Sequence, residues 1–120
     1  MTQPNAALRD RLARRREVEI TVTGRKSGRA ISIPVWFLLN DEKVYLLPVH
    51  GSDTQWYKNV LEHPSVRITA GEAHADVRVI PMTDRAQVSS VVEQFRAKYG
   101  AKDVKKYYSK LDVAVAAELR

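Results

Sequence analysis

Apolar residues recur along this chain with two periods, and the switches between them mark out its elements. Leu8 and Leu12 stand four apart within an arginine-rich stretch, which predicts a short helix in the first sixteen residues with Asn5 as its N-cap. From Glu17 the period becomes two. Val18, Ile20 and Val22 alternate with Glu19, Thr21 and Thr23, as in a half-buried strand. A second strand is predicted over residues 30–39, where Pro34 marks an edge, a bulge or an opening in the ladder. After the turn Asn40-Asp41-Glu42, residues 43–49 carry two apolar faces: Val44, Leu46 and Pro48 on one, Tyr45, Leu47 and Val49 on the other. A strand covered on both sides suits a small barrel with extra elements or a second subunit packed outside it.

Helical spacing returns in residues 55–62, with Asp53 or Thr54 as N-cap, Trp56, Val60 and Leu61 as the apolar stripe, and Pro64 as the stop. Residues 66–70 and 73–80 predict a hairpin across Gly71-Glu72. A longer helix is predicted over residues 85–99, capped by Thr83 or Asp84, packed by Val88, Val91, Val92, Phe95 and Tyr99, and ended by Gly100. Residues 103–110 predict a helical turn or irregular segment. In residues 111–119 the alanines favour helix and the alternation of Val113 and Val115 favours strand; strand is the expectation adopted. The order β-β-β-α-β-β-α-turn-β predicts a mainly β, α+β fold. It is a small, mostly antiparallel split β-barrel with a short helix after the third strand and a longer C-terminal helix. Residues 1–16 are expected to form a basic arm or short helix, and residues 17–120 a single split-barrel domain.

Composition narrows the chemistry. The 120 residues contain no cysteine, which removes thiolate catalysis, disulfides and cysteine-ligated metals. His50, His63 and His74 have no close ligand spacing, so no metal is expected. No apolar run approaches the roughly 18 residues that span a bilayer, and no apolar signal segment opens the chain, so a cytoplasmic protein is expected. The net charge of +6 is uneven: residues 1–29 hold eight Lys/Arg against three Asp/Glu. An acidic partner is expected at that front. Two leucines bury too little for more than weak membrane contact.

The stretch Thr23-Gly24-Arg25-Lys26-Ser27-Gly28-Arg29 has two readings. Its glycines allow main-chain N–H groups to converge on an oxyanion, with Arg25, Lys26 and Arg29 supplying charge and Ser27 a hydroxyl. Alternatively it is a solvated hairpin turn. The turn containing Gly51, running into a helix N-terminus, is a second candidate anion site.

A family resemblance bears on that choice. Thr21-Val22-Thr23-Gly24-Arg25-Lys26-Ser27-Gly28, then Ile33-Pro34-Val35-Trp36-Phe37, then Gly51-Ser52 and Trp56-Tyr57-Lys58-Asn59-Val60 closed by Pro64, resemble the nitroreductase-like, deazaflavin-dependent oxidoreductases. These bind coenzyme F(420) on a flavin-type split barrel. The resemblance covers roughly residues 17–80. It implies that Arg25, Lys26 and Ser27 hold the cofactor's phosphate and acidic tail. Val49, His50, Gly51 and Ser52 would border the deazaflavin ring and offer it backbone amides, and Trp56, Tyr57 and Asn59 would sit on the helix closing the site. Trp36 would face substrate, as would Tyr107 or Tyr108, of which adjacency lets one readily point inward. The implied activity is hydride transfer from reduced F(420) to a small electrophilic acceptor (a quinone, nitro compound or activated alkene) in a homodimer, with no catalytic side chain assigned. The segment 51–56 is short, and Thr54-Gln55 stands where the family places a proline, which keeps FMN as the alternative cofactor. A nucleic-acid-binding small barrel is the third reading, although nucleic acid is not the expected partner.

Overall fold

The computed structural model describes residues 6–40 and 42–119; Asn5 and Asp41, in the predicted cap and turn, lie outside the described residues. The elements are α1 (Ala6–Leu12), β1 (Glu17–Thr23), β2 (Ala30–Asn40), β3 (Lys43–Leu46), a 3-10 turn (Gly51–Asp53), α2 (Gln55–Glu62), β4 (Ser65–Ala70), β5 (Ala73–Met82), α3 (Arg85–Tyr99), α4 (Ala101–Tyr107) and β6 (Ala114–Glu118). The strands close into a barrel in the order β1-β2-β3-β6-β5-β4. Every pairing between these strands is antiparallel. This is the α+β split barrel that the alternating pattern predicts, and the last segment is a strand.

Period-two patterning fills the interior. Val18, Ile20 and Val22 of β1, Val66 and Ile68 of β4, Val77 and Val79 of β5, and Val115 and Ala117 of β6 point inward and are buried. Leu8 and Leu12 of α1 join the same cluster at 2% and 1% exposure, so the basic helix is tied to the barrel. Each buried leucine is worth about 1.5–3 kcal/mol of transfer free energy.

A second core lies outside the wall. Leu38, Leu47 and Ala114 face Val88, Val91, Val92, Phe95 and Tyr99 of α3, with Val104 and Tyr108 completing the cluster. The double-faced apolar pattern of residues 43–49 is thus resolved within the chain: Val44 and Leu46 fill the barrel, while Tyr45, Leu47 and Val49 meet the helical layer. Tyr99 also ties this layer to β2. Its hydroxyl accepts from the Phe37 N–H at 3.1 Å, and its proton is shared between the carbonyls of Arg16 (2.6 Å) and Phe37 (2.9 Å).

Four local expectations need correction or sharpening. Leu61 is 53% exposed and does not belong to the α2 stripe, whose buried residues are Trp56, Tyr57, Asn59 and Val60. Thr54 stands at the N-cap of α2 without capping it, because its hydroxyl accepts from the His50 N–H at 2.8 Å. Asp84 caps α3, accepting from the Gln87 N–H. The basic front does not form one surface. Arg11 and Arg15 approach Gly71 at the β4–β5 turn, whereas residues 24–29 emerge at the opposite end of β1. Seven strand residues separate them, roughly 20 Å. Among the described residues, no helix is long and apolar enough to cross a membrane.

Candidate functional site

An aromatic-lined cleft sits at the split in the barrel. Residues 30–36 of β2 pair with β1, but pairing with β3 begins only at Phe37. The first half of β2 therefore has one strand neighbour, and Pro34, which has no N–H to donate, falls in that half. A cleft of about 380 Å³ opens there. Pro34, Val35 and Trp36 line it from β2, Leu47 and Val49 from the chain after β3, and Trp56 from α2. Tyr107 and Tyr108 close it from the end of α4, and among the described residues Glu17 contributes the one carboxylate.

The aromatic wall is held by its own packing. Trp36 stacks on Tyr99 with centroids 4.3 Å apart and planes 6° from parallel, while Tyr107 meets it edge-on at 5.5 Å. Both adjacent tyrosines reach the cleft, against the expectation that only one readily could. Tyr108 is 8% exposed and forms part of the second core, whereas Tyr107, at 51%, stands at the rim. Burial, then the neighbouring Tyr99, pushes the Tyr108 hydroxyl well above the ordinary tyrosine range. It is a neutral donor, not a base.

The cationic loop is built around Asn59. Its side-chain oxygen accepts from the Arg25 N–H at 3.1 Å and from Arg25 Nη1 at 2.8 Å, while Arg25 Nη2 donates to Gln55 Oε1 at 2.8 Å. Gln55 and Asn59 are one helical turn apart on α2, so a single face grips the loop. The Gly24 N–H goes to the Arg29 carbonyl, the Gly28 N–H to the Gly24 carbonyl and the Arg29 N–H to Ser27 Oγ. The amides of Gly24, Arg25, Gly28 and Arg29 are thus bonded inside the protein, which narrows the expected convergence of loop amides on an anion. Lys26, Ser27 and Arg29 are exposed, and among the described residues the two cations make no ion pair.

A similar correction applies to the segment expected to offer amides to a ring. The His50 N–H goes to Thr54 Oγ1, the Gly51 N–H to the Pro48 carbonyl at 3.0 Å and the Ser52 N–H to Asp112 Oδ1 at 3.0 Å. Residues 109–112 strap this turn down. Ser109 N–H donates to the Val49 carbonyl, Ser109 Oγ meets His50 Nδ1 at 2.8 Å, Ser52 Oγ donates to Asp112 Oδ2, and Lys110 pairs with Asp53 at 3.2 Å. Partial burial of Asp112 opposes its ionisation, but the Ser52 hydrogen bonds outweigh this and hold its pKa below the usual carboxylate value.

The implied site residues are thus only partly gathered. Trp36, Val49, Trp56, Tyr107 and Tyr108 share the cleft. Arg25, Lys26, Ser27 and Asn59 form the loop beside α2. His50, Gly51 and Ser52 face the strap, and Tyr57 lies in the barrel core, its hydroxyl pKa raised by burial and then by Asp112. Glu17, Gln55, Ser109 and Asp112 were not singled out from sequence. The Gln55/Asn59 spacing was a readable signal, but nothing local announced Asp112.

The fold and cleft define a small antiparallel split barrel with an aromatic-lined opening. The chain belongs to the bacterial family described as "Uncharacterized protein conserved in bacteria (DUF2255)", whose model matches residues 9–118. Among solved structures it is similar to a chain described as a domain-swapped dimer, at 21% identity and TM-score 0.69, covering 87% of this chain and 81% of that one. It is similar to an F(420)-H2 dependent reductase at 21% identity and TM-score 0.68, covering 87% and 95%. The haem storage protein HutZ from Vibrio cholerae shares the fold at 15% identity and TM-score 0.69, covering 98% and 89%. Comparison with curated proteins finds no match. These likenesses establish the fold.

Proposed function

We propose that this protein is a deazaflavin-dependent oxidoreductase that passes a hydride from reduced F(420) to a small electrophilic acceptor. The observation that carries the reading is the position of α2: Trp56 lines the aromatic cleft and Asn59, three residues on, grips the cationic loop. A flat ring suits the first and an anionic tail the second, so the residues fit the group. The fold shared with an F(420)-H2 dependent reductase is consistent with this.

Bound reduced F(420) supplies the hydride. Lys26, Ser27 and Arg29 hold the acidic tail, while Arg25, committed to Asn59 and Gln55, sets the shape of the loop. Trp36, Trp56 and Val49 orient flat groups and keep water from them. The neutral Tyr108 hydroxyl donates a hydrogen bond to the acceptor. Self-association into a homodimer, the form of one neighbour with this fold, belongs to the same proposal and is read out by analytical ultracentrifugation.

The test is equilibrium binding of F(420) and, in parallel, FMN to wild type and a Lys26→Ala, Arg29→Ala double variant. F(420) binding weakened about tenfold or more in the variant is expected from the loss of two charge-assisted contacts. Preferential FMN binding moves the assignment to a flavin protein. No binding of either, or a haem Soret band on reconstitution, overturns it.

A further inference from the structure

The cleft has a charge pattern opposite to that of the molecule. The chain carries 20 Lys and Arg and a net charge of +6, yet among the described residues no cation lines the cleft, and its one charged lining residue is Glu17. Among the described residues Glu17 makes no ion pair. The cation next to it in sequence, Arg16, lies over the Tyr99 ring at 5.1 Å. Lys98 is similarly occupied, donating to the Phe37 carbonyl at 2.8 Å. Both remain outside the cleft lining.

The same cleft is lined by four aromatic side chains from three parts of the fold: Trp36, Trp56, Tyr107 and Tyr108. Trp36 is fixed by Tyr99 stacked on one face and by the rings of Tyr107 and Tyr108 at 5.5 and 6.0 Å, so the aromatic groups of the cleft form one packed wall. Aromatic faces attract cations through the ring quadrupole, tryptophan most strongly, and several rings beside one carboxylate make a recognised receptor for organic ammonium groups. An anionic ligand would find no positive side chain here and would meet Glu17.

We infer that the cleft selects an organic cation, an aromatic or alkyl ammonium-type group, over neutral and anionic molecules of the same shape. In the site proposed above this cation is a recognition group that the electrophilic acceptor carries beside its reducible part, and the catalytic meaning of the inference rests on that reading. Binding selectivity itself depends only on the cleft. Glu17 is the specificity-determining residue, and Trp36 supplies the fixed ring face.

The experiment uses the protein's own fluorescence, since both of its tryptophans line the cleft. The full chain is titrated with phenyltrimethylammonium, its neutral carbon isostere tert-butylbenzene, and benzoate, with F(420) binding measured on the same preparation. The cation is expected to bind about tenfold tighter than the isostere, and benzoate more weakly than either. Glu17→Gln, at an exposed position, should reduce that preference about threefold with an unchanged melting temperature. Trp36→Leu should remove it. Equal affinity for the three probes, no measurable binding of the cation, or a Glu17→Gln variant with undiminished preference overturns the inference. Cation selectivity without F(420) binding leaves it standing and sinks the oxidoreductase reading; F(420) binding without selectivity does the reverse.

Discussion

Lys98 shows how a residue that looks like helix-surface charge acquires a distinct character from its surroundings. Its amine donates to the Phe37 carbonyl and lies 3.8 Å from the Phe37 ring centroid. Burial, with Arg16 nearby, pushes its pKa down to about 8. The folded-state value therefore lies below the unfolded value of 10.5. Between those limits the unfolded chain holds a proton that the folded chain has released, so this group makes stability rise with pH. Below pH 8 its burial penalty is fully present. Urea midpoints at pH 7.5 and 9.5 should show this rise in wild type and a flatter response in Lys98→Met. The lysine's place on the last turn of α3 was readable from spacing, but its confinement was not, because Phe37 and Arg16 come from distant parts of the chain.

Among the elements, the strap and the turn beneath it depend on one close approach. Gly51 has φ +55°, and a Cβ there would collide with Asp112 Oδ1 and come within 3.0 Å of the Lys110 carbonyl. Gly28 has φ +71° with open space around its Cβ position. Gly28→Ala should cost about 1 kcal/mol of backbone strain, whereas Gly51→Ala should cost about 3 kcal/mol or more because the strap must also move. Chemical denaturation of the two variants checks the ranking. Both glycines stood out in the sequence as anion-seat candidates. The strand-to-strand and strand-to-helix punctuation around them was legible, but distant partners decided part of the use of neighbouring amides: Asn59 for Arg25 and Asp112 for Ser52.

Across the whole molecule, charge that is contiguous in sequence is divided in space. Arg11 and Arg15 lie at the β4–β5 end and the loop cations at the other end of β1, roughly 20 Å away and well beyond the screening length of about 8 Å at physiological salt. Arg11→Ala, Arg15→Ala should therefore change F(420) affinity less than twofold at 0.15 M salt, in contrast to the loop double variant. Equal losses in a binding titration would show that the two ends act as one surface. The cleft is likewise a property of the closed barrel. Trp36, Trp56 and Tyr108 were legible as large side chains near motif positions, but their meeting requires the split in β2, the placement of α2 and the docking of α3 and α4.

The sequence by itself determined most of the elements, the alternating interior and the barrel class, because these depend on local periodicity and on proline and glycine chemistry at named positions; α4 and the extent of β3 were not among them. It also marked the cationic loop, whose residues are contiguous. Tertiary structure alone decided which side chains line the cleft and that, among the described residues, Glu17 is the one charge in its lining. Those properties arise from contacts between residues far apart in the chain, and no local period encodes them.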